Sequence, residues 1–147
     1  MEIPRHPRSK PRILLVEDNP ADVRLVREAL TDVPTRPHLT VARDGETALL
    51  LLESPADEHP LPDLIVLDLN LPGRGGLDIL AHIKQHPTLH TIPVVVLTTS
   101  LATRDVQDSY ANQANGYVTK PINLDDFLAT IRAIAEFWFE TATLPSS

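Results

Sequence analysis

Cysteine is absent from this chain of 147 residues, so the sequence argues against a disulfide-built secreted protein and against a thiolate metal site. No apolar run approaches the ~18 residues that a membrane-spanning helix needs. The amino terminus also lacks the apolar core of a signal peptide. These absences predict a soluble, cytoplasmic protein that has no membrane partner.

An excess of basic residues is missing as well. The chain carries 13 basic and 20 acidic residues, which gives a net charge of −7. This balance argues against nucleic acid as a partner, because nucleic-acid-binding proteins present a basic face. Several of the basic residues crowd the beginning of the chain, among prolines: Arg5, Arg8, Lys10 and Arg12. We therefore expect residues 1–11 to form a flexible basic arm.

What the sequence does contain is an alternation of short apolar runs with amphipathic segments. Five runs have the composition of strands: Arg12–Val16, Leu39–Ala42, Leu64–Leu67, Ile92–Leu97 and Gly116–Val118. A helical segment follows each run, and the last one extends from Leu124 to about Glu140. The alternation predicts an α/β fold with a parallel sheet covered on both faces. We expect one domain over residues 12–140 and a short tail over residues 141–147.

Residues that favour helix starts precede three of the helical segments. Asn19 is a plausible cap for the first helix, and Pro20 suits its first position. Asp44 and Asn123 are predicted to cap the second and the last helix in the same way.

Polar side chains follow four of the five predicted strands, where a buried core would not place them. Glu17 and Asp18 follow the first strand and Asp68 follows the third. Thr98 follows the fourth strand and Lys120 the fifth. Ligand sites in such sheets lie beyond the carboxyl ends of the strands. If the sheet is doubly wound with the first strand central, we expect these side chains to converge.

The chemistry of this set points to phosphoryl transfer. Carboxylates that lie close together repel one another unless a cation neutralises them, and Mg²⁺ with oxygen ligands is the preferred solution. The Lys120 ammonium and the Thr98 hydroxyl suit phosphoryl oxygens. Asp68 is then a candidate nucleophile that forms an acyl phosphate.

Four motifs resemble the receiver domain of two-component response regulators. They are Val16-Glu17-Asp18-Asn19-Pro20, Leu67-Asp68-Leu69-Asn70-Leu71-Pro72, Leu97-Thr98-Thr99-Ser100 and Gly116-Tyr117-Val118-Thr119-Lys120-Pro121. The resemblance covers about residues 12–140. It implies a flavodoxin-like (βα)5 fold, a doubly wound parallel sheet with the strand order 2-1-3-4-5.

The resemblance also implies a role for each residue of the site. Asp68 would accept a phosphoryl group from a sensor histidine kinase, while Thr98 and Lys120 would bind the phosphoryl oxygens. The chain would not be an enzyme that acts on other molecules, since it catalyses only its own phosphorylation and slow dephosphorylation. The Mg²⁺ ligands implied are Asp18, Asp68, the backbone carbonyl of Asn70 and, through water, Glu17.

Two further features follow from the same resemblance. Tyr117 matches a switch aromatic that turns inward as Thr98 moves toward the phosphoryl group, so the signal would be a change of binding surface. The Lys120–Pro121 peptide bond is expected to be cis, an isomer that proline makes accessible.

The last predicted helix ends in the aromatic run Phe137, Trp138 and Phe139. Trp138 continues the apolar stripe of this helix, whereas the two phenylalanines lie on its other sides. An exposed apolar cluster marks an interaction surface, and we expect a homodimer. This run, the Asn19–Asp22 segment and the long loop over residues 54–62 are similar to stand-alone receivers paired with bacterial phytochromes. That narrower resemblance implies a bacteriophytochrome as the kinase, no output domain and an unknown downstream protein.

Three other functions use related architecture. A phosphorelay shuttle to a histidine phosphotransfer protein needs the same site, so the sequence does not separate it from a terminal receiver. An aspartyl-phosphate hydrolase of the haloacid dehalogenase type needs an acid two residues after the nucleophile, where this chain has Asn70. A flavodoxin-like cofactor binder needs a phosphate-binding loop after the first strand, where Glu17 and Asp18 lie.

Overall fold

A five-stranded parallel sheet organises the chain. The structure, a computed structural model, describes residues 10–57 and 60–145, so most of the expected basic arm and the end of the tail lie outside the described residues. The strand order is β2-β1-β3-β4-β5, and every neighbouring pair is parallel. This order confirms the expected flavodoxin-like fold. The strands are β1 (Arg12–Val16), β2 (His38–Ala42), β3 (Leu64–Leu67), β4 (Val94–Thr98) and β5 (Gly116–Thr119).

An α-helix follows each strand. A 3-10 turn, Leu89–Thr91, precedes β4, and a π-helical turn, Phe137–Thr141, follows the last helix. Within the described ranges, no helix combines the length and the apolar character needed to cross a membrane. The helices are α1 (Pro20–Thr31), α2 (Gly45–Glu53), α3 (Gly76–Gln85), α4 (Thr103–Ala111) and α5 (Leu124–Glu136).

The three predicted helix caps are confirmed. The Asn19 side chain accepts hydrogen bonds from the first turn of α1. Asp44 does the same for α2, and Asn123 for α5. Each cap pairs a backbone N–H group that has no partner inside its helix, and so fixes where the chain leaves the sheet edge and turns into the helix.

The core has two halves, one on each face of the sheet. Successive side chains of a strand point to opposite faces, so a central strand covered on both sides is apolar at every position. In β3, Ile65 and Leu67 pack on the face covered by α2 and α3. Leu64 and Val66 pack on the other face, which α1 and α5 cover. All four side chains are buried, as expected for a doubly wound sheet.

The end of α5 differs from the sequence-based expectation. The helix ends at Glu136, and the N–H group of Ala142 donates to the carbonyl of Phe137 over 2.7 Å, which is the longer bonding step of a π turn. Because a π turn is wider than an α turn, Trp138 and Phe139 both remain packed against the core. Only Phe137 of the three aromatic residues is half exposed, at 50%.

Candidate functional site

Backbone hydrogen bonds continue past the ends of the strands and bring the polar side chains together. The N–H group of Asp68 donates to the carbonyl of Val16 over 3.0 Å, which aligns the end of β3 with the end of β1. The N–H group of Lys120 donates to the carbonyl of Thr98 over 2.7 Å, which aligns β5 with β4. The side chains that follow these strands therefore project at one edge of the sheet.

The ammonium group of Lys120 lies at the centre of the site. Its Nζ atom is 2.6 Å from Oε1 of Glu17, 2.9 Å from Oδ2 of Asp22 and 3.0 Å from Oδ2 of Asp68. Lys120 donates hydrogen bonds to Asp22 and Asp68 and forms an ion pair with Glu17. Lys120, Glu17 and Asp68 are all buried. The sequence suggested this grouping for three of the residues, but it gave no role to Asp22.

Burial changes the acid–base properties of two members of the cluster. Burial raises the pKa of Glu17 to about 7, although the hydrogen bond from Lys120 acts in the opposite direction. For Lys120, burial lowers the pKa, but the hydrogen bonds to Glu17 and Asp22 outweigh it and the pKa is raised above its usual range. Lys120 therefore stays charged, while Glu17 titrates near neutral pH.

Three carboxylates of the site are arranged to hold one cation. Oxygen atoms of Glu17, Asp18 and Asp68 lie within 4.8 Å of one another. Two oxygens on opposite sides of a Mg²⁺ ion are about 4.2 Å apart, because each bond is about 2.1 Å long, so three oxygens at this spacing are close enough to become ligands of one cation after a small inward adjustment. Asp18 is exposed and leaves this group open to solvent. The N–H group of Asn70 donates to Oδ1 of Asp68 over 3.1 Å and orients that carboxylate.

A second network links the end of β4 to β5. The hydroxyl group of Tyr117 donates to the carbonyl of Ser100 over 2.9 Å. The Ser100 hydroxyl donates to Oδ2 of Asp105 in α4 over 2.5 Å, and the Ser100 N–H group lies 3.4 Å from the Oγ1 acceptor of Thr98. The two expected switch residues thus share Ser100 as a neighbour. Sequence reasoning did not anticipate the contribution of Asp105.

Gly76 determines how closely α3 approaches the site. Its N–H group donates to the carbonyl of Leu69 over 3.1 Å. A Cβ atom at this position would collide with the carbonyl oxygen of Asp68 and with Cα of Leu69. Only glycine permits this approach between the first residue of α3 and the backbone that carries Asp68.

The expected cis peptide bond at Lys120–Pro121 is wrong for this structure. Every peptide bond within residues 10–57 and 60–145 is trans. The trans isomer is favoured by about 0.5–1 kcal/mol before proline. The Lys120 backbone pairs with Thr98 and its side chain reaches the acidic cluster with the trans bond in place, so the contacts of the site do not require the cis isomer.

Comparison with known proteins assigns this geometry to a family. Residues 13–132 match the response regulator receiver domain. Response regulator Rcp1 of Synechocystis sp. is 47% identical over 137 residues, which are 92% of this chain and 93% of Rcp1. The crystal structure of the Mn²⁺-bound form of Rcp1 has a TM-score of 0.87 and covers 92% of this chain and 99% of that one.

A second solved structure agrees in fold and sequence. It is the phosphorylated cyanobacterial phytochrome response regulator RcpA, with 45% identity and a TM-score of 0.89. The alignment covers 94% of this chain and 100% of RcpA. The strand order, the acidic cluster with its buried lysine and these relatives lead to one conclusion: the chain belongs to the response regulator receiver domain family.

Proposed function

We propose that Asp68 accepts a phosphoryl group from a sensor histidine kinase in a site that also holds Mg²⁺. The observation that carries the proposal is the position of the buried Asp68 carboxylate, 3.0 Å from the Lys120 ammonium and beside two further carboxylates that can share a cation. The phosphorylated state of the related RcpA supports it.

In this proposal a carboxylate oxygen of Asp68 attacks the phosphorus atom of a phosphohistidine. The new bond joins that oxygen to phosphorus, and the bond between phosphorus and the imidazole nitrogen breaks. Lys120 donates a hydrogen bond to the incoming phosphoryl group in place of the Asp68 oxygen, and the Thr98 hydroxyl provides a second donor. The same groups would act in the slow loss of the phosphoryl group to water.

The proposed Mg²⁺ ligands are those that the motifs imply. Asp18, Asp68 and the backbone carbonyl of Asn70 would bind the ion directly, and Glu17 would bind it through water. When bound, Mg²⁺ supplies positive charge to the phosphoryl oxygens. The Mn²⁺-bound state of Rcp1 supports a divalent cation, and carboxylate, carbonyl and water ligands suit both ions.

We propose that phosphorylation changes the surface formed by α4 and β5. Thr98 would move toward the phosphoryl group, and the Tyr117 ring would follow because both residues contact Ser100. This is a shift between two states, biased by new contacts at the site. The altered surface would pass the signal to an unknown downstream protein, in a cytoplasmic receiver domain that spans residues 12–140.

The kinase and the dimer belong to the same proposal. The name of RcpA, a phytochrome response regulator, supports a bacteriophytochrome as the kinase. A homodimer is supported by the half-exposed Phe137, which lies beside a shallow cleft of about 360 Å³ at the α5–β5 edge. Trp138 and Ile134 also line this cleft, so it is largely apolar.

A hydrolase of the haloacid dehalogenase type is not favoured. That chemistry needs an acid two residues after the nucleophile, whereas Asn70 holds this position and its N–H group bonds to Asp68. The phosphorelay shuttle uses the same site and remains an extension of the proposal.

Acetyl phosphate tests the phosphorylation site directly. Wild-type protein incubated with acetyl phosphate and Mg²⁺ should gain the mass of one phosphoryl group, and Asp68→Asn should gain none. Asp78→Asn, which removes a charge from α3, should behave as wild type. Wild type without added mass, or Asp68→Asn with it, would contradict the proposal.

Hydrodynamic size tests the dimer. Phe137→Ser combined with Trp138→Ala should convert a dimer into a monomer, measured with and without beryllofluoride and Mg²⁺. Leu50→Ala is the matched control, because Leu50 is an exposed apolar residue of α2, 69% exposed. An unchanged size in the double variant would remove the argument for this interface.

A further inference from the structure

Asp22 contacts the site, although the four receiver motifs assign no role to it. It is the third residue of α1, and its Oδ2 atom accepts a hydrogen bond from Nζ of Lys120 over 2.9 Å. The Asp22 side chain is 21% exposed, whereas that of Glu17 is 2% exposed. Asp22 therefore holds Lys120 from the solvent side of the site, and Glu17 holds it from the buried side.

The three carboxylates that contact Lys120 have different roles in the proposed function. Asp68 exchanges its free carboxylate for an acyl phosphate, and Glu17 takes part in holding the cation. Asp22 has no such second task, so its hydrogen bond to Lys120 is the one that can persist through the reaction. The bond also opposes the pull of Glu17, which lies nearer to Nζ, at 2.6 Å.

We infer that Asp22 is a positioning residue, which keeps the Lys120 ammonium at the solvent side of Asp68 where a phosphodonor enters. The inference rests on the proposed phosphorylation of Asp68. Without Asp22, Lys120 loses its outer partner and is drawn toward Glu17, away from the position where it meets the phosphoryl oxygens.

A helix-stabilising role is the competing explanation for Asp22. Acidic residues in the first turn of a helix interact favourably with its dipole, whatever lies beyond it. Asp78 offers a matched case, because it is the third residue of α3 and has Arg74 rather than Lys120 as its partner. A variant at Asp78 removes the same charge from the same helical position without touching the site.

The direction of the change in phosphorylation rate distinguishes loss of the Lys120 anchor from loss of a negative charge. Phosphodonors are anions, so removal of a negative charge near the entrance should by itself speed their reaction with Asp68. Loss of the Lys120 anchor should slow it. A slower Asp22→Asn variant is therefore the opposite of what the change in charge predicts.

The experiment follows the rate of phosphorylation by acetyl phosphate at saturating Mg²⁺, using intact mass. Asp22→Asn should react about ten-fold more slowly than wild type, because one charge-assisted hydrogen bond is weakened. Asp78→Asn should keep the wild-type rate, and Asp22→Glu, which retains a carboxylate, should recover part of the loss.

NMR can follow the contact between Asp22 and Lys120 directly. The lysines of the sequence are Lys10, Lys84 and Lys120, so side-chain NMR signals of labelled lysine can be assigned with two Lys→Arg variants. In Asp22→Asn the Lys120 signal should shift and exchange faster with solvent, while the Lys84 signal stays unchanged. Asp78→Asn should leave the Lys120 signal in place.

The outcomes separate the two proposals. If wild type gains no phosphoryl group, the proposed function fails and this inference fails with it. If wild type is phosphorylated and Asp22→Asn reacts at the wild-type rate or faster, with an unchanged Lys120 signal, only the role of Asp22 is overturned.

Discussion

The hydroxyl group of Tyr117 donates a hydrogen bond to the backbone carbonyl of Ser100 over 2.9 Å, and so ties an aromatic ring of β5 to the loop that follows β4. The hydroxyl of Ser100 extends the connection to Asp105 in the first turn of α4. A displacement of the β4–α4 loop therefore changes the environment of the Tyr117 ring directly.

Tyr117→Phe should test this connection. The ring still packs, but the Ser100 carbonyl loses its partner, so we expect the free energy of unfolding to fall by about 1 kcal/mol. Urea denaturation measures the change. Tyr110→Phe is the control, because Tyr110 is 52% exposed and should give an unchanged midpoint. Equal midpoints for all three proteins would show that the Tyr117 bond contributes nothing.

Gly76→Ala should disturb the site through the backbone. The new Cβ atom would collide with the carbonyl oxygen of Asp68, so α3 and the end of β3 must separate. We expect a loss of about 1–3 kcal/mol in the free energy of unfolding, together with slower phosphorylation. Gly75→Ala is the matched control, since a Cβ there meets no atom within 4 Å. A Gly76→Ala protein as stable as Gly75→Ala would contradict the steric argument.

The raised pKa of Glu17 makes the stability of the metal-free protein depend on pH. The folded protein keeps the Glu17 proton up to about pH 7, whereas the unfolded chain releases it near pH 4.5. Stability from this group is therefore fully present below pH 4.5 and is lost as the pH rises to about 7. The loss amounts to about 3 kcal/mol.

Denaturation in EDTA across this pH range, compared between wild type and Glu17→Gln, isolates the contribution of Glu17. In EDTA, the difference in the free energy of unfolding between the two proteins should change with pH. Mg²⁺ should reduce that change because a cation favours the ionised carboxylate. Parallel pH profiles for the two proteins would show that Glu17 titrates as an ordinary carboxyl group.

Lys120→Met should leave the acidic cluster without its counter-charge. Removal of one partner from a buried ion pair typically costs about 3–5 kcal/mol, and Lys120 pairs with two buried carboxylates, Glu17 and Asp68. Urea denaturation at neutral pH should show this loss, and acidic pH should reverse part of it because the carboxylates then bind protons.

Lys84→Met is the control for Lys120→Met. Lys84 also makes three hydrogen bonds, to the carbonyls of His90 and Ile92 and to the side chain of Asn115, but it has no ion pair with a carboxylate among the described residues. Its loss should be smaller and should not recover at acidic pH. Identical pH behaviour of the two variants would contradict the counter-charge argument.

The fold could be predicted from the sequence because its three central strands are buried on both faces. Leu64–Leu67 is apolar at every position, and all four residues are buried. The caps Asn19, Asp44 and Asn123 were equally readable, since a cap depends on the chemistry of one residue beside a helix start. Local sequence patterns of this kind predict the structure correctly when no tertiary contact overrides them.

The remaining features depend on contacts that local patterns do not contain. Asp22 looks like an ordinary acid of a first helical turn, and only the fold brings it to Lys120, 98 residues later. The π turn that starts at Phe137 breaks the period on which the aromatic positions were predicted.

The three carboxylate partners of Lys120 have a consequence for how the protein is made. Zinc fingers and many other small metal-binding domains fold only when their ion binds. Here the chain carries its own cation into the cluster, so the sheet can assemble before a divalent ion arrives. Under the proposed function, scarcity of the ion would leave receivers that are folded but not phosphorylated.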